Sequence, residues 1–346
     1  MLEDLYEAMS ELSQTPEEWG EPSFSQEQYY EPVPLSENNL DHYDVKEDKK
    51  TVCCIDGGNN KIYETPTDSI HLIKVYFNLF RGKRRMKNFD PFTAILVSRS
   101  EGEKVECELR PQNDVLPLEK TSYVLNEDEL ENGSPVSSGH TIRKYIEWKA
   151  LQYMAEELLA PKDIVVRDGV LQTTVERERR YAEEAYDRVE KNGVVLVGIA
   201  KTSSLKTTTG YPLVASIQSI AREAGKGEER WYYHPVAHTS HPDHKGEMYV
   251  VKYHPSSQYA FRTEFYRENH EQMEKKEVEE VLGHLAFQAQ DPIFLGYPYG
   301  LVDVDKRARV TDEEVEYLRN MGDNKMSKTF RDKVNAVNAH DRLSEI

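Results

Sequence analysis

Two aspartates of this 346-residue chain stand in the same kind of place. In TVCCIDGGNN (51–60) an apolar run reads as a buried strand over 51–55, Asp56 stands where that strand ends, and Gly57-Gly58 follow. In DIVVRDGV (163–170) a shorter apolar run leads to Asp168 and then Gly169. A carboxylate at such a point has left the core but is still held by a rigid element. The glycines remove side-chain bulk, so a metal, a phosphate or another backbone can come close. A third acid, Glu147, lies on a helix pattern over about 138–160, beside the apolar stripe Ile142, Ile146, Ala150 and Met154. Arg143 sits one turn before it, which alone would read as an i,i+4 ion pair. VVLVGIAKTSSL puts Lys201 just past another strand, and a late carboxylate falls near a C-terminal helix in GYPYGLVDVDKRARV.

Three or four carboxylates gathered at one place repel one another unless cations neutralise them. All-oxygen ligands select Mg²⁺ or Mn²⁺ over zinc. Two such ions about 4 Å apart can activate a water and steady the leaving oxygen in phosphodiester cleavage.

Gathering these acids requires an α/β fold. Parallel neighbouring strands present their carboxyl ends on one edge of a sheet, where α/β folds keep ligands. After the Asp56 strand, IHLIKVYFNLF, PFTAILVSRS and KVECELR predict further strands joined by short turns. The turn RGKRRMKN carries Arg81, Lys83, Arg84, Arg85 and Lys87, either a solvated charge run or a phosphate-gripping loop beside the site. A charged helix is predicted over 173–191, a second over 211–224, then strands in WYYHPVAH, GEMYVVKYH and YAFRTEFY, and helices after 274 and at about 312–321. The pattern of strand-Asp, strands, helix-Glu and strand-Asp is that of an RNase H-like mixed sheet flanked by helices.

The formal charge is −18, which at first argues against a nucleic-acid binder. Residues 1–48, however, hold 14 Asp or Glu against one Lys, so most of that charge sits in an N-terminal arm. A nearly balanced body with basic stripes can still grip phosphates. The arm opens with Leu2, Leu5, Met9 and Leu12 at helical spacing and continues with Pro16, Pro22, Pro32 and Pro34 as an extended segment. The expected organisation is therefore an acidic helix and arm over 1–48, one catalytic-type domain over 49–322, and a helical tail over 323–346. No run approaches the roughly 18 apolar residues of a membrane span, and no secretory leader is evident. Cys53, Cys54 and Cys107 form no disulfide framework and suit a reducing, cytoplasmic setting as small core residues.

IDGG at 55–58, R-x-x-x-E at 143–147, VRDGVL at 166–171, VGIAKTS at 197–203 and GYPYGL at 296–301 resemble, in order, the motifs of the NurA nucleases. These are archaeal and bacterial DNA-end-processing enzymes, and the resemblance spans about 50–310. It implies an RNase H-like core and a homodimer. It also implies Mn²⁺-dependent action, with Mg²⁺ possible, as a 5′-to-3′ exonuclease on DNA and an endonuclease on single strands. The implied partner is the hexameric HerA translocase. By the same resemblance Asp56, Glu147 and Asp168 match metal carboxylates. Lys201 matches a lysine that holds the phosphate or its developing charge, and Tyr297 matches the tyrosine of the GYP motif, with Tyr299 its neighbour. Many members carry a histidine where this chain has Asp305. Aspartate can bind a hard cation but cannot serve as an imidazole acid or base near pH 7. Asp303 is a second candidate for that place.

Two rival functions share these features: an ATP-binding protein of the actin and sugar-kinase type, and a non-catalytic adaptor of the translocase. The first lacks a late glycine-rich phosphate turn. The histidines of HPVAHTSHPDH (His234, His238, His241, His244) suggest zinc, but two prolines interrupt them and no cysteine is near, so a polar loop is expected.

Overall fold

The structure is a computed structural model that describes residues 2–12, 18–47, 50–130 and 134–344. The expected boundary at 48–49 and Pro16 lie outside the described residues. A twelve-stranded mixed sheet is built from β1 (Leu40–His42), β2 (Thr51–Glu64), β3 (Asp68–Arg81), β4 (Arg84–Lys87), β5 (Phe92–Glu101), β6 (Lys104–Pro111), β7 (Thr121–Leu125), β8 (Ile164–Asp168), β9 (Val195–Ala200), β10 (Trp231–Tyr233), β11 (Gly246–Lys252) and β12 (Phe261–Tyr266). Its order is β1-β10-β11-β12-β9-β8-β2-β3-β5-β6-β7, with β4 pairing β3. At its centre β8 runs parallel to both β2 and β9, while β3 and β5 continue β2 as an antiparallel meander. That arrangement is the RNase H-like core.

Alternation along the strands sorts two layers, because successive side chains leave a strand on opposite faces. Cys53, Ile55, Val165 and Leu196 face one apolar cluster, shared with α2 (Ser138–Glu157) and α3 (Glu176–Lys191). Val52, Cys54, Ile164, Val166, Val197 and Ile199 face the other, against α5 (Lys275–Gln288) and α6 (Tyr299–Ala308). A third cluster joins α4 (Leu213–Glu223) to β1, β10 and β11. All three cysteines are free and buried, as small core residues.

The strand carrying Asp56 does not end there. It runs on through Gly57 and Gly58 to Glu64, paired throughout with β3. The glycines are places where helices press onto the strand. A Cβ on Gly57 would come within 2.5 Å of Glu147 Oε1 on α2, and a Cβ on Gly58 would strike the backbone of Ala308 on α6. At the other end of α6, a Cβ on Gly300 would lie 2.5 Å from Cys54 Sγ. Gly58 and Gly300 thus let α6 lie flat along β2. Gly58→Val is expected to force α6 away and cost about 1–3 kcal/mol by overpacking. A lower urea midpoint checks this; an unchanged midpoint would mean that α6 is not held so closely.

Residues 18–47 of the acidic arm are laid into the body. Pro22–Ser23 and Tyr30–Pro32 pair with the short strands Lys206–Thr207 and Ala237–Thr239, and β1 closes the main sheet beside β10. α1 (Leu2–Leu12) precedes it, with Leu2, Leu5 and Tyr6 exposed. After α6 come α7 (Asp312–Asp323) and α8 (Lys328–Ser344), where Lys333 reaches Asp68 at 2.8 Å. Among the described residues, no helix is long and apolar enough to cross a membrane.

Candidate metal centre

Asp56, Asp168 and Lys201 continue the rows of alternate residues that face α6: Val52-Cys54-Asp56 on β2, Ile164-Val166-Asp168 on β8, and Val197-Ile199-Lys201 at the end of β9. α6 supplies Asp305 to the same place. One oxygen from each of Asp56, Asp168 and Asp305 lies within 4.8 Å of the others. Lys201 Nζ pairs with Asp168 Oδ2 at 2.5 Å and donates to Asp305 Oδ1 at 2.7 Å. The backbone N–H of Gly57 donates to Asp56 Oδ1 at 2.7 Å. Gly169, with φ +115°, turns the chain away directly after Asp168.

The electrostatics are those of an under-neutralised cluster. Burial, and then the charges of Asp168 and Glu147, push the Asp56 carboxyl up to about 7, against the opposing pull of Lys201. Burial also raises Asp168, with Lys201 pulling it back. Lys201 is raised: burial opposes, but its pairing with Asp168 and Asp305 wins. The donor set fits a hard divalent cation. Oxygens bound about 2.1 Å from an octahedral ion lie roughly 3–4 Å apart, so small side-chain adjustments would suffice.

Glu147 sits apart from this group. It is buried, but on the α2 side of the sheet. Both its oxygens are taken, one by Arg143 and the other by Arg167 Nη2 at 3.1 Å. Arg143 also donates to Gly57 O at 3.0 Å, and the Arg167 guanidinium lies 4.7 Å from the Trp148 ring centre. Arg167 escaped the sequence reading, although strand alternation could have found it. The residue before Asp168 must face the opposite side, toward Glu147.

The two late aspartates separate cleanly. Asp303 is buried and tied down by Asn78 at 2.8 Å, Arg85 at 2.7 Å and Arg307 at 3.4 Å, whereas Asp305 reaches the cluster. Both lie within α6, not at the start of a helix. Tyr297 is buried, and its hydroxyl has no hydrogen-bond partner among the described residues. Burial raises its pKa, and the charges of Asp168, Cys54 and Asp56 add to the effect. Tyr299 packs instead on Phe80, with ring centres 5.6 Å apart.

The basic turn is the hairpin between β3 and β4. Arg81 pairs with Thr51, and Asp56 pairs with Tyr76, so the hairpin lies five residues, about 17 Å, along β2 from Asp56. Arg85 is spent on Asp303 and Tyr76, Arg81 donates to Thr51, and Lys83 and Lys87 lie over the rings of Phe287 and Phe89. Arg84 is exposed.

The histidine loop is structural. His234 meets Glu247 at 2.9 Å, and His241 bonds Gln26 of the arm. His244 is fully buried between Tyr30 at 3.1 Å and Glu264 at 3.1 Å, and His238 is exposed. Burial works against the Glu264 carboxylate, but Arg262 and His244 outweigh it and lower its pKa.

Residues 50–310 match the family model of the NurA domain. Among solved structures, one described as NurA superposes with a TM-score of 0.50 at 11% identity, over 96% of this chain and 97% of that one. The NurA nuclease from Sulfolobus solfataricus gives 0.46 at 12% identity, over 93% of each chain. Human endonuclease V gives 0.36 at 12% identity, over 81% of this chain and 93% of its own. No curated protein sequence matches the chain.

Proposed function

The chain belongs to the NurA family, and from that premise we propose that it is a divalent-metal-dependent deoxyribonuclease of DNA end resection and double-strand break repair. The observation that carries this reading is the convergence of Asp56, Asp168 and Asp305, from two strands and a helix, on one point beside Lys201. The proposed activities are 5′-to-3′ exonuclease action on single- and double-stranded DNA and endonuclease action on single strands. The proposed ion is Mn²⁺, with Mg²⁺ as the alternative. A homodimer and a HerA-type hexameric translocase are the proposed assembly. The proposed domains are the arm over 1–48, the nuclease domain over 49–322 and the tail over 323–346.

When bound, a divalent cation supplies Lewis-acid stabilisation of charge on phosphate oxygens. Asp56, Asp168 and Asp305 would hold it there. Glu147 would complete the acidic set from the opposite face once Arg143 or Arg167 yields an oxygen. Burial and the neighbouring carboxylates hold the metal-free Asp56 carboxyl up at about 7; a bound cation would favour its ionised form, so Asp56 would serve as a ligand and not as the proton acceptor. Lys201 would turn from the carboxylates toward the phosphate and offset its developing charge. Tyr297, whose hydroxyl has no partner, would donate to a substrate oxygen. Exposed Arg84 and the rest of the Arg81–Lys87 hairpin would meet DNA away from the site of cleavage.

The test is cleavage of linear duplex and single-stranded DNA by the purified full chain with Mn²⁺, against a chelator control. Absence of any metal-dependent product would sink the reading. Lys201→Met sharpens it. Removing the ammonium that pairs with Asp168 and Asp305 is expected to tighten Mn²⁺ binding, measured calorimetrically, while turnover falls roughly 10²- to 10³-fold. Weaker metal binding in this variant would contradict the role given to Lys201.

A further inference from the structure

The connection from β11 to β12 turns at the sheet edge that carries Lys201, because β12 runs antiparallel to β9 and pairs Arg262 with Ala200. On that connection the Tyr259 ring is 56% exposed. It stacks on Phe294, 41% exposed, with centroids 5.7 Å apart at 26°. Ile293 beside it is 63% exposed. Phe294 in turn stands edge-on to Tyr297 at 5.7 Å, and Tyr259 reaches the same tyrosine through Phe261, at 6.4 and then 4.9 Å. Tyr297 packs in one apolar cluster with Cys54, Val166 and Ile199, which stand two residues before Asp56, Asp168 and Lys201 on the same row of each strand. An exposed aromatic surface therefore runs by direct ring contacts into the wall of the carboxylate site.

Aromatic rings bury large areas when packed, so two left facing solvent at a site's rim forgo that gain unless something covers them. We propose that Tyr259 and Phe294 form a stacking platform for the bases of an unpaired DNA strand whose backbone passes the carboxylates. The proposal rests on the nuclease reading for the identity of the strand. Continuity with the site selects nucleic acid as the occupant. Every base offers a π-face, so such a platform is tolerant of sequence. It favours single strands over duplex, because duplex bases are already stacked on one another.

The experiment uses the full chain in a chelator, so that nothing is cut, with oligonucleotides containing 2-aminopurine. Binding of single strands by the wild type is expected to quench the fluorophore. Tyr259→Ala/Phe294→Ala is expected to lose the quench and roughly 10- to 100-fold of single-strand affinity, with a loss of under about twofold for duplex. Tyr259→Phe is expected to retain the quench. Equal single-strand affinity in the double variant overturns the platform. So does a change of oligomeric state, by light scattering, with DNA binding intact, because the surface would then belong to a second copy. A wild type that binds and quenches single strands but cleaves no DNA with any divalent ion would sink the nuclease reading and still support the platform.

Discussion

Asp56→Asn and Asp168→Asn are each expected to lower Mn²⁺-dependent DNA cleavage by 10³-fold or more while the protein stays folded. Each change removes a charge from a group of three oxygens that must close on one ion, and a rate loss of that size corresponds to about 4 kcal/mol of transition-state stabilisation. Neither side chain contributes apolar packing, so near-ultraviolet circular dichroism should match the wild type. Asp305→Asn should cost less, because Asp305 is the more exposed member and stands on a helix that other residues hold in place. Wild-type cleavage by either strand variant would remove the carboxylates from the chemistry.

The second large effect is on stability, and its sign is unusual for a carboxylate. Asp56 in the folded protein titrates near 7, against 3.8 for an ordinary aspartate. Between those values the folded state binds more protons than the unfolded chain, so stability falls as pH rises from about 4 to 7. The ceiling on this loss is roughly 4 kcal/mol, and sharing of charge with Asp168 and Lys201 will reduce it. That loss should appear as a difference between the metal-free wild type and Asp56→Asn when melting is compared at pH 5.5 and pH 8, because burial lowers the pKa values of His71, His241, His254 and His270, which adds stability as pH rises in both proteins alike. Asp56→Asn should lack the loss and melt above the wild type at pH 8. Mn²⁺ at 100 times its dissociation constant should raise the wild-type melting temperature at pH 8 by roughly 3–5 °C and leave Asp56→Asn almost unmoved. Identical pH dependence of melting in the metal-free wild type and Asp56→Asn would show that the cluster carries no net repulsion.

Much of the site was legible in the sequence because strands report their own geometry. A run of apolar residues ending in an acid predicts a carboxylate at a strand end, which is where Asp168 stands, with Lys201 just past its own strand, whereas the Asp56 strand runs on to Glu64. What single elements could not report was what packs across them. Gly57-Gly58 read as a place of close approach without showing what approaches, because α2 and α6 lie 90 and 250 residues away along the chain. Periodicity could place Glu147 on a helix face but could not give its double pairing with Arg143 and Arg167, because Arg167 comes from another element. Arg167 was missed although alternation along its strand places it on the face opposite Asp168. The choice between Asp303 and Asp305 turned on Asn78 and Arg85, both from the distant β3–β4 hairpin, and that same pairing explains why a basic turn is partly structural.

The carboxylates come from residues 56, 168 and 305, and the last of them arrives only when α6 seats against Gly58. A polypeptide still emerging from the ribosome possesses the first two acids long before the third. While residues 1–304 are being synthesised, then, the nascent chain has an incomplete cluster, and the three carboxylates meet only after the helix bearing Asp305 has been made.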